Sequence, residues 1–125
     1  MKMLVIDDSK AMRGFLCHLA REFSFTTQEA EDGCAGLDAL NKNDPKAPFD
    51  IALVDWDMPR MTGIEFVRYV RNNRDYDGLK LMMVTTNNSE EKISMAIEAG
   101  ANDFLMKPVT KESLEEKLMI LGLMP

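Results

Sequence analysis

The chain has 125 residues and a formal net charge of −6, with 46% apolar and 29% charged residues. This length suits one domain with its own hydrophobic core, and the composition is that of a globular protein rather than a disordered one. The acidic balance argues against nucleic-acid binding, because phosphate recognition needs clustered Lys and Arg. No apolar run approaches the roughly 20 residues of a membrane helix, and the first residues lack a signal-peptide pattern. We therefore expect a single cytoplasmic domain over residues 1–125.

The cysteines and the histidine do not form a recognisable reactive site in the sequence. Cys17 and Cys34 lack the spacing of a metal or redox site, so we expect two reduced thiols. His18 is the only histidine and is predicted on a helix surface. Nucleophilic catalysis of the Ser/His/Asp or Cys/His kind therefore has little support.

Strand and helix patterns alternate along the first half of the chain. Lys2–Ile6 is a short apolar run that predicts a strand, and Ser9 can cap the helix after it. Thr26–Ala30 is a second strand, and Asp32 can cap a helix over Gly33–Leu40. The apolar residues at helical spacing in the first helix are Met12, Phe15, Leu16, Leu19 and Phe23.

The same alternation continues through the second half. Ile51–Val54 is rich in branched apolar residues and predicts a strand that is buried on both faces. Thr62 and Glu65 fit a capping box, which opens a helix ending near Asn73. A polar linker follows over Asn72–Gly78. The further predicted elements are a strand over Leu81–Thr86, a helix from Asn88 or Ser89 to Ala99, a strand over Asp103–Met106 and a helix that Thr110 opens.

Five strand and helix repeats predict the α/β class. Strands that alternate with helices imply a parallel sheet covered on both faces, with right-handed crossovers. Periodicity does not give the order of the strands, but the flavodoxin-like order 2-1-3-4-5 is a common doubly wound arrangement. We therefore expect a doubly wound five-stranded parallel sheet with five helices. In that order, the carboxyl ends of strands 1, 3, 4 and 5 lie around one crevice.

Polar side chains follow four of these strands. Asp7 and Asp8 follow the first strand, Asp55 follows the third, Thr85 lies at the end of the fourth and Lys107 follows the fifth. Clustered carboxylates are costly unless a cation neutralises them, and their oxygens suit Mg²⁺. A metal opposite a lysine and a hydroxyl can stabilise phosphoryl oxygens, and an aspartate can attack phosphorus. The set predicts a phosphoryl-transfer site centred on Asp55.

Four segments carry a specific resemblance to a known family. They are Val5–Asp8, Val54–Gly63, Met83–Thr86 and Phe104–Pro108. Together they resemble the receiver domain of two-component response regulators, and are particularly similar to the stand-alone, CheY-like chemotaxis type. The resemblance covers nearly the whole chain in order. It implies the CheY-like form of the flavodoxin-like fold and phosphorelay signal transduction.

The resemblance also implies a role for each residue of the predicted site. Asp55 corresponds to the phosphoacceptor, which takes a phosphoryl group from a sensor histidine kinase. Asp8 and Asp55 correspond to direct ligands of Mg²⁺ or Mn²⁺, the backbone carbonyl of Asp57 to a third ligand, and Asp7 to a ligand through water. Lys107 corresponds to the lysine that contacts the phosphoryl oxygens. The family members are signalling phosphoacceptors rather than enzymes, although they assist their own phosphorylation and autodephosphorylation.

A conformational switch is implied as well. Thr85 corresponds to a hydroxyl that turns toward the phosphate, and Phe104 to an aromatic residue that then swings inward. Pro108 corresponds to a proline after a cis peptide bond. Partners would read the face made by the fourth helix, the fifth strand and the fifth helix.

The implied partners are proteins. They are a sensor histidine kinase or a histidine phosphotransfer domain, and a downstream protein such as the flagellar switch. We expect a monomer without an output domain that binds neither nucleic acid nor membranes.

Three positions depart from the commonest pattern of the family. Thr86 stands where Ala or Gly is usual, and its larger side chain predicts slower reaction with small phosphodonors. Asp57 stands where the chemotaxis type commonly has Asn, which predicts an altered autodephosphorylation rate. Phe104 replaces the commoner Tyr and lacks its hydroxyl, which bears on recognition by a flagellar motor.

Other functions remain as alternatives at this point. A phosphatase of the haloacid dehalogenase type shares the Asp55 and Asp57 spacing, but its second acidic pair follows the nucleophile. A flavodoxin-like FMN protein would need a hydroxyl- or Gly-rich phosphate loop after the first strand. A pseudo-receiver would keep the fold without phosphorylation. Within the receiver interpretation, a phosphorelay shuttle or a regulator outside chemotaxis is the alternative.

Overall fold

The computed structural model describes residues 1–86 and 89–124, in which strands and helices alternate along the chain. The strands are β1 (Lys2–Ile6), β2 (Thr26–Ala30), β3 (Ile51–Asp55), β4 (Lys80–Thr85) and β5 (Asp103–Met106). The α-helices are α1 (Lys10–Glu22), α2 (Gly33–Lys42), α3 (Gly63–Arg71), α4 (Glu90–Ala99) and α5 (Lys111–Ile120).

The strands form one parallel sheet in the order β2-β1-β3-β4-β5. This confirms the predicted doubly wound topology. Ile6 pairs with Val54 across β1 and β3, and Thr85 pairs with Met106 across β4 and β5. Since the strands are parallel and in this register, the residues that follow β1, β3 and β5 meet at one edge of the sheet.

The core lies on both faces of the sheet, as alternation along β1 shows. Met3 and Val5 pack in the cluster that includes apolar residues of α1 and α5. Leu4 and Ile6 pack on the opposite face, in the cluster that includes residues of α2, α3 and α4. Successive side chains of a strand point to opposite faces, so each strand can serve both halves of the core. Within the described residues, no helix is long and apolar enough to cross a membrane.

Each α-helix begins at a polar residue whose side chain accepts a hydrogen bond from the first turn. The capping box predicted at α3 is present. Thr62 Oγ1 accepts from the Glu65 amide at 3.2 Å, and Glu65 Oε1 accepts from the Thr62 amide at 3.2 Å. At α4 the cap is Ser89, and the alternative Asn88 lies outside the described residues. The other capping residues are Ser9, Asp32 and Thr110.

Several predicted boundaries were wrong by one or two residues. The helix predicted over Gly33–Leu40 continues to Lys42, and the one predicted to end near Asn73 ends at Arg71. The polar linker after it contains a short 3₁₀ turn over Arg74–Tyr76. The strand Ile51–Val54 includes Asp55, and the strand predicted over Leu81–Thr86 lies one residue earlier, over Lys80–Thr85.

Phe15 was predicted on the apolar stripe of α1, but it is 42% exposed. The buried residues of α1 are Leu16, Cys17, Leu19 and Ala20. The buried side of the helix therefore includes Cys17 and Ala20, and Phe15 lies outside it.

Arg71 joins the loops at the amino-terminal edge of the sheet. Its guanidinium donates hydrogen bonds to the carbonyl oxygens of Tyr76, Leu79 and Gly100 at 2.8, 2.7 and 2.9 Å, and to Asn102 Oδ1 at 2.9 Å. Gly100 has φ of 120° and leaves room for the Arg71 side chain, because a Cβ there would lie 2.4 Å from Arg71 Cγ. The end of α3 is thereby fixed to the segments that lead into β4 and β5.

Candidate functional site

Three polar side chains of the predicted site are buried at the carboxyl edge of the sheet. Asp7, Asp55 and Thr85 are 1%, 5% and 3% exposed, although carboxylates are seldom buried without a partner. Asp55 is the last residue of β3, a strand whose five residues are all buried. Because β3 lies at the centre of the sheet, its end carries Asp55 into the crevice between the neighbouring strands.

Asp8 joins this set from the segment after β1. The carboxylates of Asp7, Asp8 and Asp55 each offer an oxygen, and these oxygens lie within 4.8 Å of one another. Asp8 is exposed, whereas the other two are buried. The structure therefore brings together the acidic residues that the sequence predicted, with one open side toward solvent.

The two carboxylate oxygens of Asp7 have different surroundings. Oδ1 accepts a hydrogen bond from the Ser9 amide at 2.9 Å. Oδ2 is buried and has no hydrogen-bond partner among the described residues. Lys107 Nζ lies 3.5 Å from Oδ2, which is an ion-pair distance without hydrogen-bond geometry. A buried carboxylate oxygen that accepts no hydrogen bond, beside two other carboxylates, fits a hard divalent cation. Such a cation takes oxygen ligands and keeps part of its water shell.

Lys107 completes the site from the end of β5. Its ammonium donates a hydrogen bond to Asp55 Oδ1 at 3.1 Å. Its backbone amide donates to the Thr85 carbonyl at 2.8 Å, so β4 holds the residue in place. The following Lys107–Pro108 peptide bond is cis, as the resemblance implied. The Lys107 ammonium lies between two of the acidic side chains, 3.1 Å from Asp55 Oδ1 and 3.5 Å from Asp7 Oδ2.

Burial and charge shift the pKa values of the central pair. Burial, with the negative charge of Asp7, raises the pKa of Asp55 to about 6, although Lys107 and the backbone amide of Asp57 oppose the rise. Burial alone would lower the pKa of Lys107, but the hydrogen bond to Asp55 and the charges of Asp55 and Asp7 raise it. At neutral pH the pair is therefore mostly ionised, with a carboxylate that is easily protonated in the absence of a metal.

Gly63 allows the loop after β3 to close over the end of that strand. Its amide donates to the Trp56 carbonyl at 3.0 Å. A Cβ at this position would lie 2.5 Å from the Asp55 carbonyl oxygen, closer than a side chain can approach a backbone atom. In the sequence, Gly63 was noted only as the last residue of Val54–Gly63, one of the segments that resemble receiver domains. Its place directly after the helix cap Thr62 was the available signal.

Sequence reasoning also missed Arg13, which lies on α1 and donates a hydrogen bond to the Asp7 carbonyl at 2.8 Å. A contact to a backbone atom leaves no trace in residue spacing, so no signal pointed to it.

The remaining predicted residues lie outside the acidic cluster. Thr86 and the side chain of Asp57 are exposed, and the Asp57 carboxylate is not a member of the acidic cluster. Phe104 is partly buried against the core and carries Lys117 Nζ 4.5 Å above its ring centre. Pro108 is exposed beside the site.

The two cysteines, His18 and one cavity lie outside the acidic cluster. Cys17 is buried and Cys34 exposed, both as free thiols, and His18 is exposed on α1 as predicted. A cavity of about 680 Å³ lies at the opposite edge of the sheet, between the segments that precede β3 and β4, with Phe49 and Tyr76 in its wall. None of the predicted site residues lines it.

Comparisons with known proteins agree with this architecture. The protein-family model of the response regulator receiver domain matches residues 3–119. The chain is 39% identical over 119 residues to the chemotaxis protein CheY-3 of Vibrio cholerae serotype O1, covering 94% of this chain and 88% of that protein. It is also 39% identical to the chemotaxis protein CheY of Pseudomonas aeruginosa, with 94% and 93% covered.

A solved structure shows the same fold. The chemotaxis response regulator CheY4 of Vibrio cholerae superposes with a TM-score of 0.87 at 34% identity, covering 96% of this chain and 97% of that one. The predicted family and fold are therefore confirmed. The chain belongs to the response regulator receiver domain family and is a phosphoacceptor protein of two-component signalling.

Proposed function

We propose that Asp55 accepts the phosphoryl group and that the carboxylates of Asp7, Asp8 and Asp55 hold the Mg²⁺ that this reaction needs. The observation that carries the proposal is the cluster itself. Three carboxylates have oxygens within 4.8 Å of one another, and the only cation among the site residues, Lys107, makes its hydrogen bond to Asp55. One lysine does not neutralise three carboxylates, so the site keeps a net negative charge that a divalent cation can neutralise.

The donor atoms support Mg²⁺ or Mn²⁺ rather than a softer metal. Only carboxylate oxygens make up the cluster, and the buried Asp7 Oδ2 has no hydrogen-bond partner among the described residues. We assign Asp8 and Asp55 as direct ligands, the backbone carbonyl of Asp57 as a third, and Asp7 as a ligand through water. When bound, the metal supplies positive charge against the carboxylates and the phosphoryl oxygens.

Asp55 is equipped to act as the nucleophile. With a pKa of about 6, it is mostly a carboxylate at neutral pH, and the Lys107 ammonium 3.1 Å away fixes the orientation of one oxygen. A carboxylate oxygen attacks phosphorus, the bond from phosphorus to the donor nitrogen of phosphohistidine breaks, and that nitrogen takes up a proton. Lys107 then binds a phosphoryl oxygen and stabilises the added charge.

The same charge operates a switch. The phosphoryl oxygens attract Lys107 and the Thr85 hydroxyl inward, and Phe104 moves into the space that Thr85 leaves. Because β5 lies between α4 and α5 in the chain, motion at Phe104 alters the face that α4, β5 and α5 share. A downstream protein binds this face in its phosphorylated form.

Chemotaxis is the process that we propose for this receiver. Its support is that the relatives at 39% identity are named chemotaxis proteins and are matched over most of their length. The phosphodonor is then a sensor histidine kinase or a histidine phosphotransfer domain, and the downstream partner is a flagellar switch protein. Preferential binding of the phosphorylated chain to a histidine phosphotransfer domain, and not to a flagellar switch protein, would instead indicate a phosphorelay shuttle.

Intact mass spectrometry after addition of acetyl phosphate tests the site. We expect a gain of one phosphoryl group in the presence of Mg²⁺, no gain after chelation of the metal, and no gain in Asp55→Asn. Asp38→Asn is the matched control, because this carboxylate is exposed on α2 and lies outside the acidic cluster.

A histidine kinase extends the test to a protein donor. Failure to label with both acetyl phosphate and a histidine kinase would contradict the proposal and favour a pseudo-receiver.

A further inference from the structure

The backbone and side chain of Asp7 are held by three separate hydrogen bonds. The Asp7 amide donates to the Ala30 carbonyl at 3.1 Å, and Oδ1 accepts from the Ser9 amide at 2.9 Å. The Asp7 carbonyl accepts from Arg13 NH1 at 2.8 Å. The first two bonds use backbone donors, so among the described residues Arg13 is the side chain that holds the Asp7 backbone, whereas Lys107 forms an ion pair with the carboxylate. Asp7 Oδ2 has no hydrogen bond among the described residues and lies 3.5 Å from Lys107 Nζ.

Arg13 is itself anchored on both sides. Its backbone amide donates to the Ser9 carbonyl at 2.9 Å within the first turn of α1. Its Nε lies 3.1 Å from Glu29 Oε1 on β2, and the Arg13 side chain is only 14% exposed. The planar guanidinium therefore spans from Glu29 to the Asp7 carbonyl, a geometry that its rigid fork of donors permits and a lysine lacks.

Asp8 depends on this anchor more than Asp7 does. The Asp8 carboxylate is exposed, and among the described residues it has no side-chain hydrogen bond that would orient it. Its position follows from the plane of the Asp7–Asp8 peptide, and the oxygen of that peptide is the one that Arg13 binds. A rotation of this peptide would move both acidic side chains relative to Asp55.

We infer that Arg13 is a positioning residue for the divalent cation, which it serves by holding the Asp7–Asp8 peptide through its carbonyl while Glu29 holds Arg13. The inference rests on the proposed function, because it concerns the same metal. The positioning role and the charge of Arg13 have opposite effects on the affinity for Mg²⁺. Removing a positive group near an acidic site strengthens the binding of a cation by Coulomb attraction, whereas loosening the ligands weakens it.

The test is the Mg²⁺ dissociation constant of the unphosphorylated chain, measured by calorimetry and by the fluorescence of Trp56, the only tryptophan. For Arg13→Met we expect Mg²⁺ binding to weaken about tenfold, the lower end of the loss typical of residues that orient metal ligands. Arg13→Lys keeps the charge but not the fork, and we expect it to weaken binding as well.

Arg21→Met is the matched control. Arg21 also lies on α1 and also contacts β2, through Thr27 Oγ1 at 3.3 Å, but it is at the far end of the helix from Asp7. We expect its Mg²⁺ affinity to equal that of the wild type. Glu29→Gln keeps a hydrogen-bond acceptor for Arg13, so we expect its Mg²⁺ affinity to lie between those of the wild type and Arg13→Met. This variant tests the inference if Arg13→Met does not fold.

The outcomes separate this inference from the proposed function. Wild-type chain that binds Mg²⁺, together with Arg13→Met that binds it equally or more tightly, overturns the positioning role alone. Full affinity in Arg13→Lys overturns it too, because charge would then suffice. Wild-type chain that does not bind Mg²⁺ overturns the proposed metal site and this inference with it.

Discussion

Lys117 Nζ lies 4.5 Å above the centre of the Phe104 ring, and 2.9 Å from Asp103 Oδ1. The ammonium on α5 therefore joins the residue before Phe104 and the ring of Phe104 itself. A cation over an aromatic face is worth about 0.5 to 1 kcal/mol at a partly exposed site. This contact stabilises the ring position seen here over any position that moves it away from α5.

Lys117→Met is expected to shift Phe104 toward the inward position. Loss of about 0.5 to 1 kcal/mol changes the ratio of the two positions by about two- to fivefold. Aromatic NMR of Phe104, with and without beryllofluoride as a phosphoryl analogue, measures this ratio. Lys111→Met is the control, since Lys111 lies on α5 over Phe23 at 5.8 Å, away from the switch. Equal spectra for wild type and Lys117→Met would contradict the restraint.

The raised pKa of Asp55 predicts that the metal-free protein loses stability as pH rises from 4 to 6. The unfolded chain releases this proton near pH 3.8, whereas the folded chain holds it until about pH 6, so ionisation costs folding free energy in that window. The loss is about 2 to 3 kcal/mol above pH 6, from a shift of about two pKa units. Urea unfolding at a series of pH values measures it.

Asp55→Asn provides the control for the pH dependence, because the amide does not ionise. We expect the variant to lack this decline and to be more stable than wild type at pH 7 in the absence of metal. Mg²⁺ should raise the stability of the wild type at pH 7 in proportion to its binding. A wild type and Asp55→Asn with parallel pH profiles would show that Asp55 has an ordinary pKa.

Gly63→Ala is expected to destabilise the protein by about 1 to 3 kcal/mol, the usual cost of overpacking. The added methyl group would lie 2.5 Å from the Asp55 carbonyl and 2.6 Å from Met83 Cε, so the end of β3 must shift. Gly14→Ala is the control, since a Cβ at this position in α1 meets nothing within 4 Å. We expect this variant to raise the free energy of unfolding by about 0.5 to 1 kcal/mol, because alanine favours the helix over glycine. Chemical denaturation of both variants decides, and a neutral Gly63→Ala would contradict the close approach.

Thr86→Ala is expected to increase the rate of labelling by acetyl phosphate severalfold. Thr86 is exposed and directly follows the buried Thr85 at the end of β4, which is the edge of the sheet where the site lies. Thr86→Val separates size from hydrogen bonding, because valine keeps the shape of threonine without the hydroxyl. We expect Val to react as slowly as wild type. A fast Thr86→Val would attribute the effect to the hydroxyl.

The strands and the acidic cluster were predictable because each depends on short, strong patterns. A buried apolar run followed at once by carboxylates fixes both the strand and the edge where the carboxylates lie, as at Ile6 and Asp7 and at Val54 and Asp55. The capping box at Thr62 was predictable for a similar reason, since both of its bonds join residues three apart.

Other features depend on contacts that spacing does not encode. Phe15 follows the helical period, but the orientation of α1 on the sheet decides which side of Leu16 is covered, and Phe15 lies on the open side. Arg13 and Gly63 each contact a backbone oxygen of a residue that lies a short way back along the chain, across a turn or loop. These roles exist only once the chain has closed, so the sequence pattern does not contain them.

Arg71 gives the molecule one end that resists adjustment. Its four hydrogen bonds tie α3 to the segments that enter β4 and β5 at the amino-terminal edge. Thr85 and Lys107, by contrast, lie at the far ends of the same two strands. If Asp55 gains a charge as proposed, the two side chains that respond to it therefore stand at the ends of β4 and β5 that Arg71 does not hold.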